Sequence, residues 1–380
     1  MSPSGPRVFL SSGEASGDLY ASALVRAMRR RAPALQVTGF GGPRLAAEGA
    51  TLVGSYEGMT VTGLTEALFV LRRSFQMLKQ LEASARDHRP DVFVAIDFPD
   101  FNFRLLPRMR ALGIPIVYYI SPQLWAWRPK RIETIKRYVD KMLVIFPFEA
   151  AIYANAGVPV EFVGHPLIEL ARADQPRDVF LRAHGLDPSR PVLALLPGSR
   201  PNEIRHMWPT IHAALPAIAA AVPGVQFLVA RAPGLDDGLF AIASGEAVPL
   251  TFATSAADDV LNAADVVVTA SGTATVQTAL HEKPMVIVYK LSPLTYAIAK
   301  RLVGVTTFGM ANLVAGHTIA TELIQDAFTP DAVAREAIAL LSSPARAEAM
   351  RQELIKVKTK LGGVGATERA ADAILSAARG

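Results

Sequence analysis

Short apolar runs alternate along this chain with longer stretches of helical spacing. Val8–Ser11, Val37–Phe40, Asp91–Ile96, Ile114–Ile120, Lys141–Phe146 and Val158–Val163 read as strands buried on both faces. Helical patterns lie between them. Leu24, Val25 and Met28 share one face of a helix expected over Leu19–Arg31, which ends on three arginines where cations suit the helix dipole. Strand and helix in turn are the pattern of a parallel sheet covered on both faces. The alternation breaks at the polar, irregular stretch Ala171–Pro191. It restarts with Val192–Leu196, Val225–Ala230, a weak run at Leu250–Ala253, Asp265–Ala270 and Met285–Tyr289. Amphipathic helices are expected over Glu203–Ala221, Ser292–Leu302, Thr329–Leu341, Pro344–Leu361 and Thr367–Ala378. The fold class is therefore α/β, with two parallel-sheet domains over 1–168 and 169–352. The helices of 353–380 follow, packing back on the first domain or on a partner chain, so a homodimer is one expectation.

Composition narrows the classes. The chain has 380 residues, 51% hydrophobic and 19% charged, which is globular and leans apolar. No apolar run reaches membrane-spanning length, and the first strand follows too soon for a signal peptide. There is no cysteine, which removes disulfides and thiolate metal sites and suits a reducing cytoplasm. A net charge of +5 favours anionic partners, such as a phosphorylated substrate or a lipid headgroup surface. No nucleic-acid motif is visible, so that partner is not expected.

The candidate chemistry sits where strands give way to helices. Leu196-Pro-Gly-Ser-Arg200 leads from a strand into a helix, whose N-terminus leaves free N–H groups for an anion. Gly198 lets the backbone approach closely, Ser199 adds a hydroxyl, and Arg200 brings a fork of donors. Ser271-Gly-Thr273 follows Asp265–Ala270 in the same way and makes a second phosphate cradle, with Gln277 one turn further on. Ser12-Gly-Glu-Ala-Ser-Gly-Asp18 is a glycine-bearing loop carrying Glu14, Gly17 and Asp18. It lacks the dinucleotide fingerprint, and Asp18 also suits a helix cap. Asp97 ends a buried strand beside Phe98 and Phe101, a setting that suits a general base of raised pKa. Asp100 is either a substrate contact or, like Asn102, a cap for a helix over Leu105–Leu112. Two carboxylates are a thin metal signature, and no metal or other cofactor is expected. His165 reads as a hinge residue or a ligand contact. Trp125 and Trp127 suit the wall of a cleft. The segment Leu64–Leu81, with Phe69, Phe75, Arg72, Arg73 and Lys79, reads as a core helix or as a basic amphipathic helix at a membrane surface.

Taken together, the chain resembles the lipid-A-disaccharide synthase family along nearly its whole length. The resemblance is carried by Ser12–Asp18, Gly41-Gly-Pro-Arg44, Ile96-Asp-Phe-Pro-Asp-Phe-Asn102, Ser121-Pro-Gln-Leu-Trp-Ala-Trp-Arg128, Phe146-Pro-Phe-Glu149, Gly164-His165, Leu196–Arg200, Ala270-Ser-Gly-Thr-Ala274, Pro284-Met-Val286, Ala299-Lys-Arg-Leu302 and Asn312-Leu313. The order and spacing of these motifs are specific where each alone is weak. It implies the GT-B arrangement, two Rossmann-like domains facing across a cleft. It implies inverting transfer of 2,3-diacylglucosamine from UDP onto 2,3-diacylglucosamine 1-phosphate, in lipid A synthesis at the cytoplasmic face of the inner membrane. It implies that Asp97 is the base, that Arg200 and Asn312 belong to the active site, and that no metal is bound. Gln277 departs from the glutamate of many relatives that binds ribose, and Ala311 stands where proline is common. Two alternatives are another GT-B enzyme acting on soluble UDP-N-acetylglucosamine, epimerase or transferase, and a non-catalytic membrane lipid-binding protein.

Overall fold

The computed structural model describes residues 5–56, 64–124, 129–241, 248–291 and 307–379. Side chains are described within these ranges except over 64–71 and at Pro129. The loop tryptophans Trp125 and Trp127, the helix expected over Ser292–Leu302 and the side chain of Phe69 lie outside the described residues.

The chain divides between Pro166 and Leu167 and again between Lys360 and Leu361. One unit holds the chain up to Pro166 and everything from Leu361 onward; the other holds Leu167–Lys360. The helix Pro344–Lys360 therefore stays with the second unit, and only the helix Ala366–Ala377 returns to the first.

The first unit is built on seven parallel strands: β1 (Arg7–Ser12), β2 (Gln36–Gly41), β3 (Thr51–Ser55), β4 (Val92–Ile96), β5 (Ile116–Tyr119), β6 (Lys141–Val144) and β7 (Val160–Phe162). Their spatial order is β3-β2-β1-β4-β5-β6-β7. The order reverses between β1 and β4, where Ser12 stands level with Ile96. Val92–Ile96 is buried at every position, as a central strand covered on both faces demands. Phe9, Phe40, Phe93, Leu105, Leu106 and Met109 meet in the core on one of those faces. Sequence pattern missed β3, an edge strand with exposed Thr51 and half-buried residues after it.

Two helices start earlier than expected. The first begins at Glu14, so most of the expected loop Ser12–Asp18 is helical. Asp18 does not cap that helix. It is buried, and its carboxylate accepts from the N–H groups of Gly42 (2.9 Å), Arg44 (2.9 Å) and Leu45 (3.1 Å), capping the short helix Pro43–Ala47. The helix expected over Leu105–Leu112 spans Pro99–Ala111, with proline in its first turn. Asp100 and Asn102 are thus inside it, past its cap residue Phe98. The returning helix Ala366–Ala377 packs its alanine-rich face on Glu14–Arg31. Arg30 and Arg31 pair with Glu368, and Arg31 also pairs with Asp372.

The second unit carries six parallel strands: β8 (Val192–Leu196), β9 (Gln226–Arg231), β10 (Leu250–Thr254), β11 (Val266–Ala270), β12 (Met285–Tyr289) and β13 (Glu322–Ile324). Their order is β10-β9-β8-β11-β12-β13, reversing between β8 and β11. The sequence reading lacked β13, which is only three residues long. Trp208 anchors the core: it is fully buried, its indole N–H donates to the Phe240 carbonyl at 2.9 Å, and its ring packs edge-on to Phe240. Met310–Ala315 is a helix ended by left-handed Gly316.

Of the segment 64–81, the structure makes a helix, Leu64–His88. Leu78, Leu81 and Ala85 enter the core, while Arg72, Arg73 and Lys79 are exposed. Phe75 is 46% exposed, with the Arg104 guanidinium 5.3 Å from its ring centre.

Candidate functional site

In an open parallel sheet, ligands gather beyond the carboxyl ends of the strands, at the point where strand order reverses. In the first unit that point lies between the ends of β1 and β4. Glu14 follows β1, and Asp97 follows β4. Both have positive φ, 66° and 44°, and Phe98 follows at 49°. Non-glycine residues adopt this region at a cost, and such residues cluster where function requires them. Glu14 is exposed and Asp97 half-buried.

Buried polar groups fix this turn. The Asp97 carbonyl oxygen accepts from Tyr118 Oη at 2.7 Å and from Asn102 Nδ2 at 2.7 Å. Asn102 Oδ1 accepts from Ser11 Oγ at 2.7 Å. The carbonyls of Ser11 and Ile96 also face Asn102 Nδ2, so only this orientation of the amide satisfies every partner. Phe98 lies flat over Gly13, where a Cβ would meet the ring at 2.3 Å. Phe98 also stacks with Phe101 at 5.3 Å and Phe40 at 6.3 Å. Burial, then the nearby Asp97 carboxylate, pushes the Tyr118 hydroxyl well above its usual pKa, so it stays a donor.

The other expected residues fall elsewhere. Asp100 is exposed and pairs with Arg131 at 2.6 Å. Gly17 packs in its helix against Ser12, 3.5 Å from where a Cβ would be. His165 is buried between the edges of Tyr20 and Phe146, and burial lowers its pKa to about 3, so it is neutral. Its N–H donates to the Leu361 carbonyl at 2.8 Å, beside the point where the chain re-enters this unit.

In the second unit the reversal lies between the ends of β8 and β11, and both expected cradles are there. Gly198 has φ 129°, and the helix Pro201–Ala221 begins with Arg200 as its cap residue. Gly272, with φ 142°, precedes the helix Thr273–Leu280. Both conformations suit glycine. The first cradle holds a carboxylate of its own. Ser199 N–H donates to Glu203 Oε2 at 2.8 Å, Arg200 N–H to the same oxygen at 3.2 Å, and Arg200 Nη1 to Oε1 at 3.2 Å. A Cβ on Gly198 would meet that carboxylate at 2.6 Å. The sequence held this signal: a glutamate three residues after the cap is the spacing of a capping box.

At the second cradle, Ser271 Oγ donates to the Phe308 carbonyl at 2.9 Å. Glu322 holds the loop there: its carboxylate accepts from the N–H groups of Phe308 (2.8 Å) and Gly309 (2.9 Å) and from Asn312 Nδ2 (2.8 Å). Asn312 is fully buried, and its other bonds go to Ile319 N–H, Ala320 N–H and the Ala320 carbonyl. Its amide is thus committed to the protein rather than projecting into the site. Nothing in the sequence pointed to Glu322. Gln277 Nε2 lies 3.5 Å from Asp258 Oδ1, which His281 Nε2 meets at 2.9 Å, so a carboxylate stands beside Gln277. Among the described residues, no group of three His, Cys, Asp or Glu side chains could hold a metal.

The chain is 44% identical over 374 residues to the lipid-A-disaccharide synthase of Geobacter sulfurreducens, covering 97% of this chain and 96% of that one. It is 40% identical over 371 residues to the enzyme of that name from Myxococcus xanthus, covering 97% of each. Among solved structures, the UDP-GlcNAc 2-epimerase of Neisseria meningitidis superposes with TM-score 0.68 at 11% identity, over 97% of this chain and 100% of that one. The calicheamicin glycosyltransferase superposes with TM-score 0.62 at 18% identity, over 98% of each chain. These two likenesses show the GT-B fold. The family model described as lipid-A-disaccharide synthetase matches residues 8–375, and the chain belongs to that family.

Proposed function

We propose that this protein joins UDP-2,3-diacylglucosamine to 2,3-diacylglucosamine 1-phosphate, forming the β-1,6-linked disaccharide 1-phosphate and UDP. The acceptor 6-hydroxyl attacks the anomeric carbon of the donor. The bond from that carbon to the diphosphate breaks, and the hydroxyl proton passes to the Asp97 carboxylate. One attack from the face opposite the leaving group inverts the anomeric centre. Charge grows on the departing diphosphate, and the donors at Gly198–Arg200 and Ser271–Thr273 stabilise it through helix N-termini, backbone N–H groups and the Arg200 guanidinium. In this scheme no metal or other cofactor takes part. Glu14, at the same strand-order reversal as Asp97, binds the acceptor. Gln277 and Asp258 meet the ribose hydroxyls.

The observation that carries this reading is the placement of the family's motifs. Ser12–Asp18 and Ile96–Asn102 in the first unit, and Leu196–Arg200 and Ala270–Ala274 in the second, sit at the carboxyl ends of the two strands that flank the reversal of order. Acylated substrates require work at a lipid surface. Exposed Phe75, Arg72, Arg73 and Lys79 on one helix supply apolar and cationic contacts for the cytoplasmic face of a phospholipid bilayer. No described helix is long and apolar enough to cross a membrane.

The test is UDP release with the acylated donor and acceptor, with the wild type and Asp97→Asn measured together. Turnover in the wild type and loss of about a hundredfold or more in the variant are expected, on the scale of a removed general base. Full turnover by Asp97→Asn would remove Asp97 as the base. Consumption of non-acylated UDP-N-acetylglucosamine in place of the acylated donor would overturn the substrate assignment.

A further inference from the structure

We infer that Tyr118 and Asn102 are positioning residues for the transfer: two buried donors that hold the backbone of Asp97 in a left-handed turn and so aim its carboxylate. The inference rests on Asp97 as the base. It begins from the backbone. Asp97 still belongs to the ladder on one side, its N–H donating to the Tyr119 carbonyl at 3.1 Å. At φ 44° its chain then leaves the strand direction, and Phe98 continues the turn at 49°. Two successive left-handed non-glycine residues cost about 1–3 kcal/mol each and persist only where their surroundings determine them.

Here the surroundings come from two strands of the sheet and the helix that follows. Tyr118 lies on β5, Asn102 on the helix Pro99–Ala111, and Ser11 on β1. The Asp97 carbonyl has two lone pairs, and Tyr118 and Asn102 each meet it at 2.7 Å. Ser11 Oγ keeps the Asn102 amide from turning over. Phe98 cannot swing toward β1 without striking Gly13, and it stacks on Phe101 and Phe40. One half of the turn is held by ring packing and the other by two donors on one oxygen. The direction of the Asp97 side chain follows from the backbone so fixed. Tyr118 and Asn102 themselves are buried, so neither meets substrate.

Two donors on one acceptor predict non-additive losses. Tyr118→Phe keeps the ring and removes one donor; Asn102→Ser removes the other. Each alone should lower kcat about three- to tenfold, the scale of one hydrogen bond. Together they should lower it by more than the product of the two. KM for both substrates should stay within about twofold, because neither residue touches them. Ser11→Ala deletes a single atom of the relay and should lower kcat by a smaller factor. It tests the same idea should Asn102→Ser fail to fold. A residue that served stability alone would change the melting temperature and leave kcat per folded molecule untouched.

Asp97→Asn is assayed beside these variants. If it is inactive while Tyr118→Phe and Ser11→Ala keep the wild-type kcat, the positioning role is wrong and the base stands. If Asp97→Asn turns over normally, the base assignment fails and this inference fails with it. A rise in KM at unchanged kcat would show that the turn shapes binding rather than chemistry, and would likewise overturn it.

Discussion

Glu203 should weaken donor binding, and removing its charge should tighten it. Its carboxylate takes Ser199 N–H, Arg200 N–H and the Arg200 guanidinium, at 2.8, 3.2 and 3.2 Å. A diphosphate in this cradle competes for the same donors. The Arg200 side chain is 54% exposed, so its ion pair with Glu203 contributes little. The two backbone bonds to a charged acceptor carry the competition, about 1–2 kcal/mol after their own solvation is discounted. Glu203→Gln keeps the shape and removes the charge. UDP affinity should rise about five- to thirtyfold by that reckoning. Titration calorimetry with UDP measures it directly, with Arg200→Ala as the opposing control that should weaken binding. Unchanged or weaker UDP binding by Glu203→Gln would refute the reasoning. It would mean that Glu203 braces the loop in the bound form, or that the diphosphate sits elsewhere.

Three further outcomes follow from the same contacts. Burial holds the His165 pKa near 3, below its ordinary 6.5, so the unfolded chain binds the extra proton. His165 therefore contributes stability that is fully present above about pH 6.5 and is lost as pH falls toward 3. His165→Gln should lose less of its denaturant midpoint than the wild type does as pH falls from about 6.5 toward 3; a parallel loss in both would refute it. Trp208→Ala empties the centre of the second unit and leaves the Phe240 carbonyl without its indole donor. It should cost about 3–5 kcal/mol in chemical denaturation, and a cost below about 1 kcal/mol would show the site collapses freely. Phe75→Ser should reduce co-sedimentation with anionic phospholipid vesicles several-fold at unchanged melting temperature, because about 1.5–3 kcal/mol attends full burial of such a ring. Undiminished association would place the lipid contact elsewhere.

The alternation of apolar runs made the sheets legible, because a central parallel strand such as Val92–Ile96 must be apolar throughout. Edge strands escape that rule. Thr51–Ser55 is half exposed and Glu322–Ile324 is too short to show a period, so neither announced itself. Helix starts were hidden for another reason. Pro99 and Pro201 look like breakers, yet each opens a helix in the first turn, where the missing N–H is not needed. The turns that carry candidate site residues were legible from residue type at Gly198 and Gly272, whose positive φ favours glycine, and Asp97 from its place at the end of an apolar run. Their supports were not. Tyr118 reads as one more apolar strand position, and its partner carbonyl lies 21 residues away. Asp258 reaches Gln277 from another helix, 19 residues distant.

The two asparagines show why such supports matter more than their polarity suggests. Asn102 and Asn312 are both buried, and both spend their amides on backbone groups and neighbouring side chains. A buried amide left partly unpaired would cost more than it contributes, so each is tied to one local geometry. Asn102 fixes the carbonyl of Asp97. Asn312 fixes Glu322, which fixes Phe308 and Gly309, and Phe308 accepts from Ser271 in the second cradle. The resemblance implies that Asn312 belongs to the active site, and on these contacts we propose that it acts there through the loop against Ser271 and not by reaching the substrate. Asn312→Asp, which keeps the shape but sets a second carboxylate against Glu322, should therefore disturb UDP binding and loop order together. Were UDP affinity unchanged while turnover collapsed, Asn312 would have to meet the reacting sugar after all.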